Sequence, residues 1–316
     1  MLNKSFIIFS LSGLEETMNH RVHLFCLSLL CYCAIVLVNI TLILTIILDK
    51  SLHEPMYIFL CNLCINGLYG TAGFYPKFFF DLLSSSHLIS YAGCLLQVYI
   101  IYSYATMDFS ILALMAYDRY VAICRPLEYH SIMTKQRISV LVFISWMRIC
   151  LLVFITWLLP LYLMFMSTIT TSTSRLCGTH IPKIYCANYL IGRLACSTSI
   201  ASSVIPYFNI TFYLGHVVFI VWSYMYLIRT SLKSKEGRGK FMQTCVPHLL
   251  SLLNVVVSLL FDLMYMRFSR NTLSQSFENF VAIEFLLLPP IINPLIYGFK
   301  LTKLRNRISR FFGKMS

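Results

Sequence analysis

Residues 95–117 read LLQVYIIYSYATMDFSILALMAY, and residues 118–124 continue as DRYVAIC. The first stretch holds one charged residue, Asp108, in 23 positions. A helix needs about 20 mainly apolar residues to cross a bilayer, so this stretch predicts a membrane-spanning helix that ends where Asp118 and Arg119 appear together. Six more apolar stretches bounded by charge lie on either side: Leu24 to Leu48, Pro55 to Phe80, Ile138 to Phe165, Ser199 to Ile228, Phe241 to Phe261 and Phe277 to Phe299. Short connections at 49–54 and 229–240 make neighbouring helices antiparallel. The reading is an all-α, integral membrane bundle of seven helices. It forms a single domain over 1–316, with no internal repeat.

Composition agrees with this. Of the 316 residues, 58% are hydrophobic and 12% charged, against about 25% charged in an average soluble domain. The net charge of +13 raises a nucleic-acid partner, but placement of the cations assigns them to membrane orientation instead. With the N-terminus outside, sixteen of the 25 Lys and Arg fall on the cytoplasmic side, eight outside and one, Arg148, within a span. Residues 1–23 are then extracellular and 300–316 cytoplasmic. In that tail Leu301, Leu304, Ile308, Phe311 and Phe312 recur at helical spacing among Lys303, Arg305, Arg307 and Arg310, as in a short amphipathic helix lying on the membrane surface. Lys4 precedes a short apolar run, but no small-residue cleavage site follows, so the N-terminus is expected to be retained. Asn3-Lys4-Ser5 is a glycosylation sequon there; those at Asn39 and Asn209 lie inside spans.

Seven helices suit a transporter or channel as well as a receptor. A transporter predicts a charged midplane pathway and paired broken helices, and the sequence displays neither. An isolated Asp-Arg pair at a helix end reads as two interfacial anchors. Here, however, the run Met115 to Cys124, followed by Arg125-Pro126-Leu127, resembles the signature of the odorant (olfactory) receptors, a family of rhodopsin-like G-protein-coupled receptors. In register with it stand Leu52-His53-Glu54-Pro55-Met56-Tyr57, Ser223-Tyr224, Thr244-Cys245 with His248-Leu249, and Pro290-Ile291-Ile292-Asn293-Pro294-Leu295-Ile296-Tyr297. The resemblance covers essentially the whole chain. Residues Leu63 to Gly70 look more like the branch found in fish.

The resemblance implies roles. Asp118 restrains Arg119, beside Tyr120, until activation turns the guanidinium toward a G protein, while Tyr224 and Tyr297 move inward. Asn293-Pro294 loosens its helix, because proline removes a helical hydrogen bond and frees a carbonyl that neighbours must satisfy. Four of the twelve cysteines, Cys94, Cys177, Cys186 and Cys196, fall on the outer side, and their spacing allows three connectivities. The resemblance implies Cys94 with Cys186 and Cys177 with Cys196. Cys94 precedes Arg119 by 25 residues, about 37 Å along a helix, so the two mark opposite faces of the membrane. Asp108 occupies a position where the family commonly carries an acid. A second acid that helps hold a sodium ion aligns with Gly67, beside Asn66, so an ion near Asp108 would lack one carboxylate.

Departures narrow the ligand. The position that binds amines in amine receptors is Ile101, and the position of the retinal lysine in opsins is Leu287. Where many odorant receptors carry Phe-Tyr, this chain has Val255-Val256. Arg148 and Glu284 have no role the resemblance supplies. Receptor pockets open between the third, fifth, sixth and seventh spans, and small-molecule sites are mainly apolar. Tyr102 and Thr106 share a helix face with Phe109 one turn deeper, Phe208 and Phe212 repeat the spacing opposite, and Val256 and Leu259 offer an apolar wall. Simple helix packing is the bland reading of each residue. As a set they predict a compact, largely neutral pocket for a small-molecule odorant; the alternative is a charged, water-soluble odorant recruited near the mouth by Glu284 and Arg267. The function expected is an odorant receptor of the plasma membrane that activates the stimulatory olfactory G protein and raises cyclic AMP. It has no catalytic residues, no metal and no nucleic-acid partner. The alternatives are a rhodopsin-like receptor for a non-odorant ligand and, from another class, a transporter.

Overall fold

The computed structural model describes residues 7–14, 20–124, 135–197, 200–231, 239, 245–258 and 275–313. Helices α1 (Arg21–Leu48), α2 (Pro55–Leu83), α3 (Tyr91–Cys124), α4 (Lys135–Thr173), α6 (Ile200–Ser231), α7 (Cys245–Ser258) and α8 (Gln275–Lys300) occupy the seven expected spans. A short α5 (Asn188–Arg193) lies between α4 and α6, and α9 (Thr302–Gly313) follows α8. Among the described residues, 21–48, 91–121, 151–173 and 204–230 are long and apolar enough to cross a membrane. The helices overrun the spans read from charge: α3 is expected over Leu95 to Tyr117 but runs from Tyr91 to Cys124. Charge marks where the bilayer ends, not where backbone hydrogen bonding ends, so Asp118 and Arg119 stand on a continuing helix.

Helix α3 is the axis of the bundle, packing on α2, α4 and α6, while α1 and α2 both pack on α8. Within its apolar window 78% of residues are buried, against 11% for α6. Such burial requires its polar side chains to find partners without water. Its serine hydroxyls turn back on their own helix: Ser103 Oγ donates to Ile100 O at 3.1 Å, and Ser110 Oγ to Thr106 O at 3.2 Å. Gly70 allows α2 to close on α3, since a Cβ there would sit 2.3 Å from the Tyr104 ring.

Proline-freed carbonyls are satisfied in the same way. Pro294 has no N–H for the carbonyl of Pro290, four residues back. Asn39 Nδ2 of α1 donates to that oxygen at 2.8 Å, which ties α1 to the proline-rich half of α8.

The sequence reading has no strands, but the loops at the Cys94 end form two small sheets. β1 (Ile8–Leu11) pairs antiparallel with β2 (Leu88–Ser90) and parallel with β4 (His180–Ile181); β3 (Arg175–Leu176) pairs with β5 (Ala195–Ser197). Phe9 and Leu11 of β1 are buried with Tyr91 and Ile181 in the core at that end. Asn279 of α8 donates to the Gly13 carbonyl, so the N-terminal segment forms part of a cap over the bundle.

At the opposite end Leu304 of α9 is fully buried, and Ile308 packs on the cluster that includes Leu42 and Leu52. Arg307 Nε pairs with Asp49 Oδ2 at 2.9 Å, and Lys303 Nζ with Glu54 Oε1 at 2.6 Å. Hydrogen bonds from Ser51 hold the Asp49 carboxyl below its usual range, and the nearby Arg307 and Lys303 lower it further. The amphipathic helix expected after Phe299 is therefore docked on the turn at Lys50–Leu52.

Candidate functional site

Three polar layers lie along the α3 axis. The layer at the Arg119 end begins with the ion pair: Arg119 Nε donates to Asp118 Oδ2 at 2.9 Å, and Nη2 makes a second bond to the same oxygen. Both side chains are less than one-fifth exposed. Tyr120 lies against α6, 5.5 Å from the Tyr226 ring and 6.3 Å from Trp222. About two turns inward, His248 of α7 places Nε2 3.0 Å from Leu112 O of α3, while its Nδ1 meets the Tyr224 hydroxyl of α6. A carbonyl can only accept, so Nε2 carries a proton and donates to Leu112 O. The ring joins three helices through groups that are all buried. His248 belongs to a motif legible in the sequence, but its bridging role was not, because the pairing depends on how α7 is rotated against α3. Tyr297 is fully buried one helix away.

The middle layer surrounds Asp108. Asn66 Nδ2 donates to Asp108 Oδ1 at 2.8 Å and to Tyr104 O at 2.9 Å. A cavity of about 10 Å3 adjoins them, lined also by Asn39, Gly67, Pro290 and Asn293. That is room for about one water-sized particle. Its walls present the Asp108 carboxylate and the buried Oδ1 of Asn39, which has no hydrogen-bond partner among the described residues. The layer therefore offers hard oxygen ligands for one small cation, with no second carboxylate at Gly67. Asn254 Nδ2 approaches Asn293 Oδ1 at 3.4 Å beside it, which links α7 to the Asn293-Pro294 step of α8.

At the Cys94 end disulfides join Cys94 to Cys186 and Cys177 to Cys196, the pairing the resemblance implies. Gln97 Oε1 accepts from Cys186 N at 2.9 Å, and Tyr185, Cys186, Ala187 and Ile191 are buried over the bundle. Beneath this plug stand the expected ligand residues. Tyr102 and Thr106 are half-buried on one face of α3; the Thr106 hydroxyl donates to Tyr102 O at 2.8 Å and to Ser103 O at 3.0 Å. Phe109 lies deeper, in a cluster with Val255, against which Val256 and Tyr213 pack.

The structure does not bring Phe208 to this face. Its side chain is 57% exposed and stacks on Phe212. The inward line of α6 is Asn209, Tyr213, Ile220, Tyr224 and Leu227. The sequence reading was displaced by one residue, about 100° of helix rotation, because α6 is apolar all round and its spacing does not mark a face. Glu284 of α8 accepts from Ser258 Oγ at 2.8 Å, a partner for that acid that the sequence could not supply. Leu259, Arg267 and Asn3, together with the side chain of Arg148, lie outside the described residues.

The sequence model of a family described as olfactory receptor matches residues 25–315. Olfactory receptor 1D2 of Pongo pygmaeus is 33% identical over 307 residues, 96% of this chain and 93% of its own length. Olfactory receptor 2K2 of Homo sapiens is 31% identical over 315 residues, covering 98% of this chain and 94% of its own. Among solved structures, squid rhodopsin superposes with a TM-score of 0.67 at 16% identity, over 90% of this chain and 83% of that one, a likeness of fold.

Proposed function

The chain belongs to the olfactory receptor family and is a multi-pass membrane receptor, not an enzyme; on that premise we propose how it reads its ligand and passes the signal on. A small, largely neutral odorant enters at the Cys94 end, outside the plasma membrane, and lies against Tyr102, Thr106, Phe109 and Val256, with Tyr213 on the α6 side. The Arg119 end faces the cytoplasm. There the ligand-bound receptor opens and engages the stimulatory olfactory G protein, raising cyclic AMP. One observation carries this reading: Arg119 is held only by its chain neighbour Asp118 among the described ion pairs, while Tyr224 is held by His248, so both groups are available to a partner once α6 and α7 move. Binding that favours the open packing shifts the population toward it. Asp108 and Asn39 would hold a sodium ion in the middle layer, where the ion would supply positive charge beside the carboxylate.

The polar contact with the ligand is specific. The Thr106 proton is taken by its own helix carbonyls, so its hydroxyl serves a ligand as an acceptor. The family's ligands being small odorants, a screen in cells reporting cyclic AMP should find hydrogen-bond donors, such as alcohols, among the agonists. Tyr102→Phe and Thr106→Val are then expected to weaken agonist potency by roughly 1 to 3 kcal/mol, the cost of an unpaired buried polar group. Unchanged potency in both, with a large loss in Glu284→Gln or Arg267→Gln, would move the pocket toward the mouth and overturn this placement.

A further inference from the structure

At the Cys94 end, apart from the helices that frame the proposed odorant pocket, β1, the first turn of α1 and the segment between α2 and β2 enclose a second cleft. Its volume is about 390 Å3, and its polar lining is Ser10, Arg21, Ser85, Ser86 and His87. That volume lies within the range of small-molecule sites, roughly 300 to 1,000 Å3.

Among the described residues, the charge lining this cleft is of one sign. Arg21 is exposed and makes no ion pair among the described residues. The Nδ1 of His87 has no hydrogen-bond partner among them either. Among the described residues the acid beside His87 is Asp81, 3.9 Å from that nitrogen; it is 1% exposed, its Oδ1 is bonded to Lys77, and it does not line the cleft. The Ser85 and Ser86 side chains are exposed. Ser10 Oγ contacts His180 Nδ1 at 3.2 Å, which fixes that hydroxyl at the rim. A cation without a counter-ion among the described residues, beside several hydroxyls in a ligand-sized cleft, is an arrangement suited to an anion.

We propose that this cleft is a second binding site, for small water-soluble carboxylates. The planar guanidinium of Arg21 matches a carboxylate with two parallel N–H donors, and the serine hydroxyls donate to the remaining lone pairs. Because the walls come from β1, α1 and the approach to β2, an occupant ties the N-terminal strand to the helix that follows it and stabilises the cap. With one fixed cation in an open cleft, affinity is about millimolar.

The test uses the full-length receptor in lipid nanodiscs, without odorant or G protein, so its outcome is independent of the odorant pocket. The midpoint of thermal unfolding is followed against succinate and against neutral succinamide at constant ionic strength, each up to about 20 mM. Succinate is expected to raise the midpoint, as any ligand of the folded state does, and succinamide is not. Arg21→Gln should abolish the rise. Arg193→Gln, which removes a cation that lies over Tyr189 at the same end, should keep it. If Arg21→Gln does not fold, the double variant Ser85→Ala, Ser86→Ala should shift the half-point about tenfold toward higher succinate. An equal rise with succinamide, a rise retained in Arg21→Gln, an unshifted half-point in the serine variant, or no rise with succinate would each overturn the proposal.

Discussion

Arg119→Ala is expected to abolish odorant-evoked cyclic AMP while leaving surface expression broadly intact. Among the described residues the guanidinium is bonded to Asp118 of its own helix alone, so its removal leaves none of their buried groups on another helix unpaired. The freed carboxylate of Asp118 is partly exposed and can be solvated. The pair joins adjacent residues of one helix and its carboxylate keeps access to water, so the cost to folding is small beside the effect on signalling. Its contribution to signalling is much larger. A planar donor with five N–H groups can bind carbonyl and hydroxyl acceptors of a helix inserted in the open cleft, and alanine offers none. Normal cyclic AMP responses from a surface-expressed variant would remove Arg119 from the coupling site.

The second large effect is on folding. Replacing Cys94 or Cys186 by Ser removes a cross-link between residues 92 apart in sequence, a constraint worth about 2 to 4 kcal/mol. Both cysteines are fully buried, and Cys186 N is held by Gln97, so the loop also loses its anchor over the bundle. Most of either variant should be retained inside the cell, with little reaching the surface. Mass spectrometry of the intact receptor that finds Cys94 and Cys186 as free thiols would contradict the pairing.

What the sequence made legible follows from the physics of each signal. The spans could be read because a bilayer demands a minimum apolar length, and the run from Met115 to Pro126 could be read because its spacing is specific. The carbonyl freed at Pro290 could be anticipated, but its partner could not: Asn39 is distant in the chain, and only the packing of α1 on α8 brings them together. The same holds for His248 between Leu112 and Tyr224. The face of α6 was misread at Phe208 because a helix apolar on every side carries no amphipathic mark, and in a membrane exposed aromatics cost nothing. The cap built by β1 was missed because a four-residue strand pairs with segments about 80 and 170 residues away, beyond any local pattern.

The central claim is that ligand binding at one end of this bundle opens the other to a G protein. It is tested most directly by guanine-nucleotide exchange on purified stimulatory heterotrimer, with the receptor in nanodiscs and the strongest agonist from the odorant screen. The account predicts agonist-dependent acceleration of exchange that is absent with Arg119→Ala. Agonist binding without accelerated exchange, or agonist-driven solute flux through the receptor in liposomes that lack any G protein, would contradict it.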